Sequence, residues 1–453
     1  MRSSLLLLVL PLCASFVGAT SIPPQAEQER LSWPNVQDET GEEQGQLRRF
    51  HCASSQQCSE ILGLLEDEPP LDVWQVTPSY IDIYFPLSSG SASALLNRAH
   101  TSIPLASSHI DTPPYPPLPD LSDITSLNTT YHAAYHPLPA IRDFLKSLAD
   151  QHPDKITLIP LGHSGEGREM VGVKISSPDP CTRKVRGSAS KKSGFMINGA
   201  QHSREWVATS ASLYLIHALV SNSSEKGSLS HLLNTYDFYI IPLPNPDGYE
   251  YTWSTDRLWY KNRMALGPDD RCVGLDMGRN WGHKWGKNKY KKQPCHHWFP
   301  GHRPFEAPEV NNVANFITTI PRLRAFVDLR AYGQMISIPY SYSCKKVPKD
   351  AEDLLEAALG AAQAARRSHG TTFKTGSLCD TLYRAPGNVI DWMYKKAGVK
   401  YSYAVHLRDT GTYGFSLPEE WLRPVGEETA DMIEYLANFI LTKRVHHMAH
   451  RKY

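Results

Sequence analysis

A mixed β-sheet covered by helices on both faces, with a small α+β unit in front of it, is the fold class that this sequence predicts. Three observations lead there. From about residue 130 short apolar runs alternate with helical stretches, the pattern of a sheet flanked by helices. The stretch 206–220 is apolar almost all round, so it belongs in the interior. A separate period-two pattern lies within residues 51–100, set off by a Ser/Pro-rich stretch, which marks a second, smaller unit.

In the larger unit the apolar runs at 195–197, 238–241, 325–329 and 401–407 read as strands, and 206–220, 351–367 and 427–441 as helices. Functional sites in such folds gather at the carboxyl ends of the strands. In the smaller unit Ile81, Ile83 and Phe85 alternate with Asp82 and Tyr84, as a half-buried strand does. Residues 72–76 read as a second strand, and Cys52 and Cys58 are near enough to close a short loop. The division expected is a leader at 1–19, a disordered segment at 20–50, the small unit at 51–100, a linker at 101–125, the main domain at 126–441 and a mobile basic tail at 442–453.

The leader has the form of a secretory signal: Met1-Arg2, an apolar run from Leu5 to Leu10, then small residues ending at Ala19. No later stretch reaches the ~20 apolar residues of a membrane helix. Eight cysteines are present, and losing Cys13 with the leader leaves an odd number, with Cys181 the candidate free thiol. Asn128 and Asn222 open glycosylation sequons. A net charge of +1 offers nucleic acid or an acidic membrane no bulk attraction. Lys284 to Lys292 reads as a solvated loop, and His217, His283, His296 and His297 as ordinary histidines.

His202-Ser203-Arg204-Glu205-Trp206 follows the strand at 195–197 and opens a helix. A histidine and a glutamate three apart face the same way and can reach one zinc ion. Pro244 to Tyr249 (PNPDGY), Asp276 to Trp281 (DMGRNW) and Arg408 to Phe415 (RDTGTYGF) follow in order. Together these motifs resemble the metallocarboxypeptidases of the pancreatic A/B type over roughly 130–440, and the small unit resembles their pro-region. The resemblance implies the zinc-carboxypeptidase fold, zinc held by His202 and Glu205, and an oxyanion-stabilising Arg263. It further implies that Arg279 clamps a peptide's terminal carboxylate beside Gly278, Ala331 and Tyr332, that Tyr383 closes over it, and that Ile390 lies at the base of the specificity pocket. The same resemblance implies disulfides Cys272–Cys295 and Cys344–Cys379.

The departures decide what is expected of the chemistry. The strand at 325–329 runs into Arg330, where the family places its third ligand, a histidine. A guanidinium has no lone pair to give and is always charged; at 4 Å a unit charge pair interacts by about 4 kcal/mol at an effective dielectric of 20. His406 stands where the family has the glutamate that activates the metal-bound water. Gly278 replaces an asparagine that helps hold the carboxylate. The chain thus resembles a fungal subgroup of secreted, inactive carboxypeptidase-like proteins linked to cell-wall organisation. The expectation is a secreted pseudoenzyme of the wall or vacuole that binds a peptide C-terminus or a protein partner. The alternative is an active enzyme whose His406 coordinates zinc and which prefers apolar C-termini. No Lys or Arg lies between Arg98 and Arg142, so trypsin-like cleavage is expected to leave the pro-region attached, or to cut at Arg98 and leave a long tail. The charge of Arg330 is expected to neutralise Glu205 in place of zinc.

Overall fold

The computed structural model describes residues 46–65, 71–85, 95, 98–105, 115–177, 192–267 and 272–450, the last seven by backbone alone. The leader, the segment up to residue 45 and Cys181 lie outside the described residues.

The small unit comprises β1 (Gln46–His51), α1 (Ser55–Leu64), β2 (Asp72–Val76), β3 (Tyr80–Phe85) and β4 (Thr101–Pro104). Its antiparallel sheet runs β2-β3-β1-β4. Ile81, Ile83 and Phe85 pack against Phe50 and Ile61, and a Cys52–Cys58 disulfide ties the end of β1 to α1. Two expected boundaries are corrected. β1 occupies the end of the stretch expected to be disordered, and β4 the start of the stretch expected to be linker. Composition averaged over 20–50 hides the six residues of β1, which gain their order by pairing with β3 on one edge and β4 on the other.

The main unit follows as α2 (Leu138–Gln151), β5 (Ile156–His163), β6 (Glu169–Ile175), β7 (Ser193–Asn198), α3 (Trp206–Val220), β8 (Tyr236–Ile241), α4 (Pro246–Ser254), α5 (Pro308–Thr319), β9 (Leu323–Arg330), β10 (Met335–Ile338), α6 (Ala351–His369), β11 (Lys374–Ser377), α7 (Leu378–Thr381), α8 (Val389–Lys395), β12 (Tyr401–His406) and α9 (Leu422–His450). The eight strands are ordered β11-β10-β12-β9-β7-β8-β6-β5. The central four, β12, β9, β7 and β8, are mutually parallel, whereas β10 and β6 join antiparallel on either side. β7, β8 and β12 are buried along their whole length, which is why they read as mostly apolar runs without a period-two alternation.

Alternate residues supply two cores on opposite faces of the sheet. Phe195, Ile197, Val327 and Leu329 meet α3 and α9, and Met196 and Phe326 meet α5 and α8. α3 is buried at every position but Ser210, as its sequence requires. α6 stops at Gly370, whose φ of 75° supplies the left-handed turn. The tail needs a third correction, because α9 continues through it to His450. No proline or glycine interrupts residues 427–450, and Lys443 anchors the helix to Asp353 (3.0 Å) and Glu356 (2.8 Å) of α6. Among the described residues no helix is long and apolar enough to cross a membrane.

Candidate functional site

Three parallel strand ends deliver the site. Asn198 of β7 lies opposite Asp328 of β9, and Arg330 of β9 opposite His406 of β12. After β7 the chain turns through Gly199, where a Cβ would fall 2.1 Å from the Pro242 carbonyl. Only glycine permits that approach, which brings the following loop and His202 over the strand ends. Glu205 then precedes the first turn of α3, so its carboxylate and the His202 ring face the same point.

Arg330 fills that point. Its Nε donates to Glu205 Oε2 (2.9 Å) and its Nη2 to Glu205 Oε1 (3.3 Å), while Nη1 reaches Asp328 Oδ2 at 3.2 Å. Nη2 also meets His202 Nδ1. Guanidinium nitrogens only donate, so Nδ1 presents its lone pair there and Nε2–H is left for Asp276 Oδ1, 2.8 Å away. The 2.9 Å approach of His202 Nδ1 to Glu205 Oε1 is then two acceptors sharing one cation. Burial works against the charge on Glu205, but the Arg330 guanidinium outweighs it and brings the carboxyl down to about 2. Burial likewise opposes the charge on Arg330, yet Glu205 and Asp328 hold it firmly protonated. Asp328 is completed by Asn198 Nδ2 (3.0 Å) and Gln201 Nε2 (2.8 Å).

Around this pair the remaining groups are also committed. Arg279 binds Asp276 through Nη1 and donates from Nη2 to the Tyr383 hydroxyl at 2.8 Å. Tyr383 in turn lies against Trp298. A side chain at Gly278 would start 3.0 Å from His202 Nε2, so the donor lost there and the present seat of His202 go together. Burial, and then Arg330, push His406 down to about 3, and its Nδ1 is buried with no partner among the described residues.

The residues present do not fit a three-donor zinc centre. A zinc site needs about three protein lone pairs converging on one point, and here two of them already converge on the guanidinium of the residue that stands at the third position.

Strand β2 roofs the cleft. Asp72 binds Arg204 Nη1 (2.5 Å) and the Trp74 indole (2.8 Å). Gln75 Nε2 donates to the Tyr332 carbonyl at 2.8 Å. The Tyr332 hydroxyl reaches Asp82 Oδ2 (2.8 Å), which Arg49 also holds. Trp74 packs on Tyr84 and Phe415. The space left beneath is about 50 Å³, against roughly 300 Å³ or more for an ordinary ligand pocket.

Of the expected site residues, His202, Glu205, Arg330, Ala331, Tyr332, Tyr383 and His406 line this cleft, with Gly278 and Arg279 just behind His202. Arg263 does not: it lies over Tyr251 and Trp259 and faces Glu166 at 3.6 Å. The residue of that stretch which enters the cleft is Tyr260, stacked on His202 with ring centres 3.7 Å apart. Ile390 is wholly buried in the core beside Met393 and is not a cleft residue. Cys272 is joined to Cys295 and Cys344 to Cys379. Asn128 and Asn222 are exposed. Sequence reading passed over Asp328, although a residue two before Arg330 on a strand must share its face. It also passed over Asp72, Gln75 and Asp82, whose roles depend on how the small sheet docks.

The fold and the site together define a carboxypeptidase-like architecture, and the family model for zinc carboxypeptidases (Peptidase M14) matches residues 141–432. The chain belongs to that family. It is 33% identical over 413 residues to the inactive metallocarboxypeptidase ECM14 of Ajellomyces dermatitidis, covering 82% of this chain and 68% of that protein. It is also 36% identical over 298 residues to mouse carboxypeptidase A4, covering 66% and 68%. Among solved structures, thrombin-activatable fibrinolysis inhibitor superposes with a TM-score of 0.74 at 28% identity, over 88% of this chain and all of that one. Carboxypeptidase A of Helicoverpa armigera gives 0.72 at 25%, over 87% and 97%.

Proposed function

We propose that this protein is a catalytically inactive member of its family that acts by binding. The observation that carries the reading is Arg330, whose guanidinium occupies the meeting point of His202 and Glu205. With the cation supplied by the chain itself, no group polarises a scissile carbonyl, and His406, pushed down to about 3, is a weak base. The likeness to relatives named inactive supports the same reading. Arg279 is engaged by Asp276 and Tyr383, and β2 closes the cleft. A peptide C-terminus therefore enters only after the roof is displaced, and a protein partner at the outer surface needs no such step. Secretion is supported by the disulfides, and a place in fungal cell-wall organisation by the resemblance to the fungal subgroup.

One observation favours a zinc enzyme with rearranged ligands: the unpartnered Nδ1 of His406. Metal analysis of the purified full chain, with an assay on a blocked dipeptide ending in an apolar residue, separates the two. The expected result is far less than one zinc per chain and no turnover above a buffer control. One tightly held zinc per chain with hydrolysis overturns the reading.

A further inference from the structure

The outer face of α6 carries apolar residues that the fold leaves uncovered. Few large hydrophobic side chains are exposed among the described residues, and Leu355 (37%) and Leu359 (49%) are the two that stand one turn apart on a single helix. Ala362, half-buried, continues their row. The inner side of the helix is fully used. Leu354, Ala357, Ala358, Ala361 and Ala365 enter the core, and Gly360 seats α6 on α9, where a Cβ would fall 2.0 Å from the Tyr435 ring.

Charge is ordered along this outer face. Glu352 lies seven residues before Leu359 and Arg366 seven after it, nearly two turns in each direction, so the three share one line along the helix. Both charged residues are exposed, and neither has a partner of opposite charge among the described residues. The acids on the α9 side differ: Asp353 holds Lys400 and Lys443, and Glu356 also meets Lys443. An acid early and a base late suit the helix dipole as well, but the dipole asks for no leucine between them. Such a row is complementary to a second copy of itself when the two run antiparallel. Turned end for end about a two-fold axis at Leu359, a second α6 brings leucine to leucine, Leu355 to Gln363, and Glu352 to Arg366 twice over. A parallel pairing would set acid on acid and base on base. Lys349 falls before the paired stretch, 352–366.

We propose that the outer face of α6 is where two copies of this chain pair, antiparallel about that two-fold axis. The contact is isologous, each copy offering the same patch, so every favourable pair occurs twice. A uniformly acidic or uniformly basic partner would oppose one end of the row with its own kind of charge, and a second copy does not. The paired stretch is about 21 Å long, too short to bury by itself the roughly 800 Å² per partner of a standard interface, so the association is reversible. The pairing is independent of the state of the metal corner.

Sedimentation equilibrium of the full chain is the test. A reversible monomer–dimer equilibrium is expected, with the dimer evident by about 200 μM. Leu359→Gln is expected to weaken it at least about tenfold and to leave the melting temperature of the dilute protein unchanged. Glu352→Arg and Arg366→Glu each set like charges together at both ends of the pair, so each alone is expected to weaken the dimer. An equimolar mixture of those two variants places every charge opposite its complement and is expected to dimerise at least as tightly as the wild type. A monomer at about 200 μM, a dimer indifferent to Leu359→Gln, or single charge variants that their mixture does not rescue each overturns the proposal.

Discussion

Arg330 and Arg204 are both buried beside carboxylates, and they differ in what those carboxylates belong to. Arg330 is closed within the main unit: Glu205 and Asp328 are 3% and 0% exposed, and every partner comes from the strand ends or the loop above them. Arg204 reaches out of that unit to Asp72, which is 15% exposed and sits on the strand that roofs the cleft. The first arrangement is closed within one unit and is part of the fold. The second fastens the small unit to the main one, through a carboxylate that is less completely buried than Glu205 or Asp328.

The largest effect is expected at the closed pair. Removing one member of a buried ion pair typically costs about 3–5 kcal/mol, so Arg330→Met should lower the unfolding free energy measured in urea by that much. Adding Glu205→Gln should return a large part of it, because the uncompensated charge goes too. If the double variant is no more stable than the single one, the guanidinium is not what neutralises Glu205.

Asp72→Ala is expected to cost less, about 1–3 kcal/mol, since Arg204 keeps the Leu258 and Val73 carbonyls as acceptors. Its readout is local: the strand at 72–76 should become the first site cut in limited proteolysis. A loss as large as that at Arg330 would erase the distinction drawn between the two arginines.

A third expectation concerns acid. His132 Nε2 and His217 Nδ1 lie 3.0 Å apart in the core. Burial pushes His217 down to about 4, and burial, then the neighbouring His217, hold His132 well below its ordinary value. The unfolded chain takes up these protons near pH 6.5 and the folded one does not, so unfolding binds protons and stability falls as pH drops from 6.5 towards 4. Each proton contributes a slope of about 1.4 kcal/mol per pH unit. His217→Gln should remove about one proton's worth of that slope in denaturation series across this range, and an unchanged slope would place the acid sensitivity elsewhere.

The smallest effects refine the site's edges. Arg330→His should bring a zinc-dependent rise in melting temperature that the wild type lacks, yet still no turnover, because His406 remains. Arg263→Ala should cost only the cation–π contacts, about 0.5–1 kcal/mol, and leave that zinc response untouched.

Much of this was legible in the sequence, and particular residues show where it stopped. Arg330, His406 and Gly278 stand within runs whose neighbours match the family, so their substitution is visible residue by residue. Arg263 and Tyr260 share one short stretch, and only the turn of the backbone decides which enters the cleft. β1 and β4 lie in segments whose average composition argues against structure, and their order comes from β3 and from each other's company.

The sequence by itself determined the alternation of buried strands and helices, the motif residues and their order, and an arginine, which has no lone pair to give, at position 330. These are local properties: a run of apolar residues or a missing lone pair is the same wherever the chain goes. The grip of Arg330 on Glu205 was expected and is present; only the tertiary structure decided that His202 and Asp328 share that guanidinium, and that Asp72, Gln75 and Asp82 roof the cleft. Such contacts join residues far apart in the chain, and no local pattern encodes a distance across three strand ends.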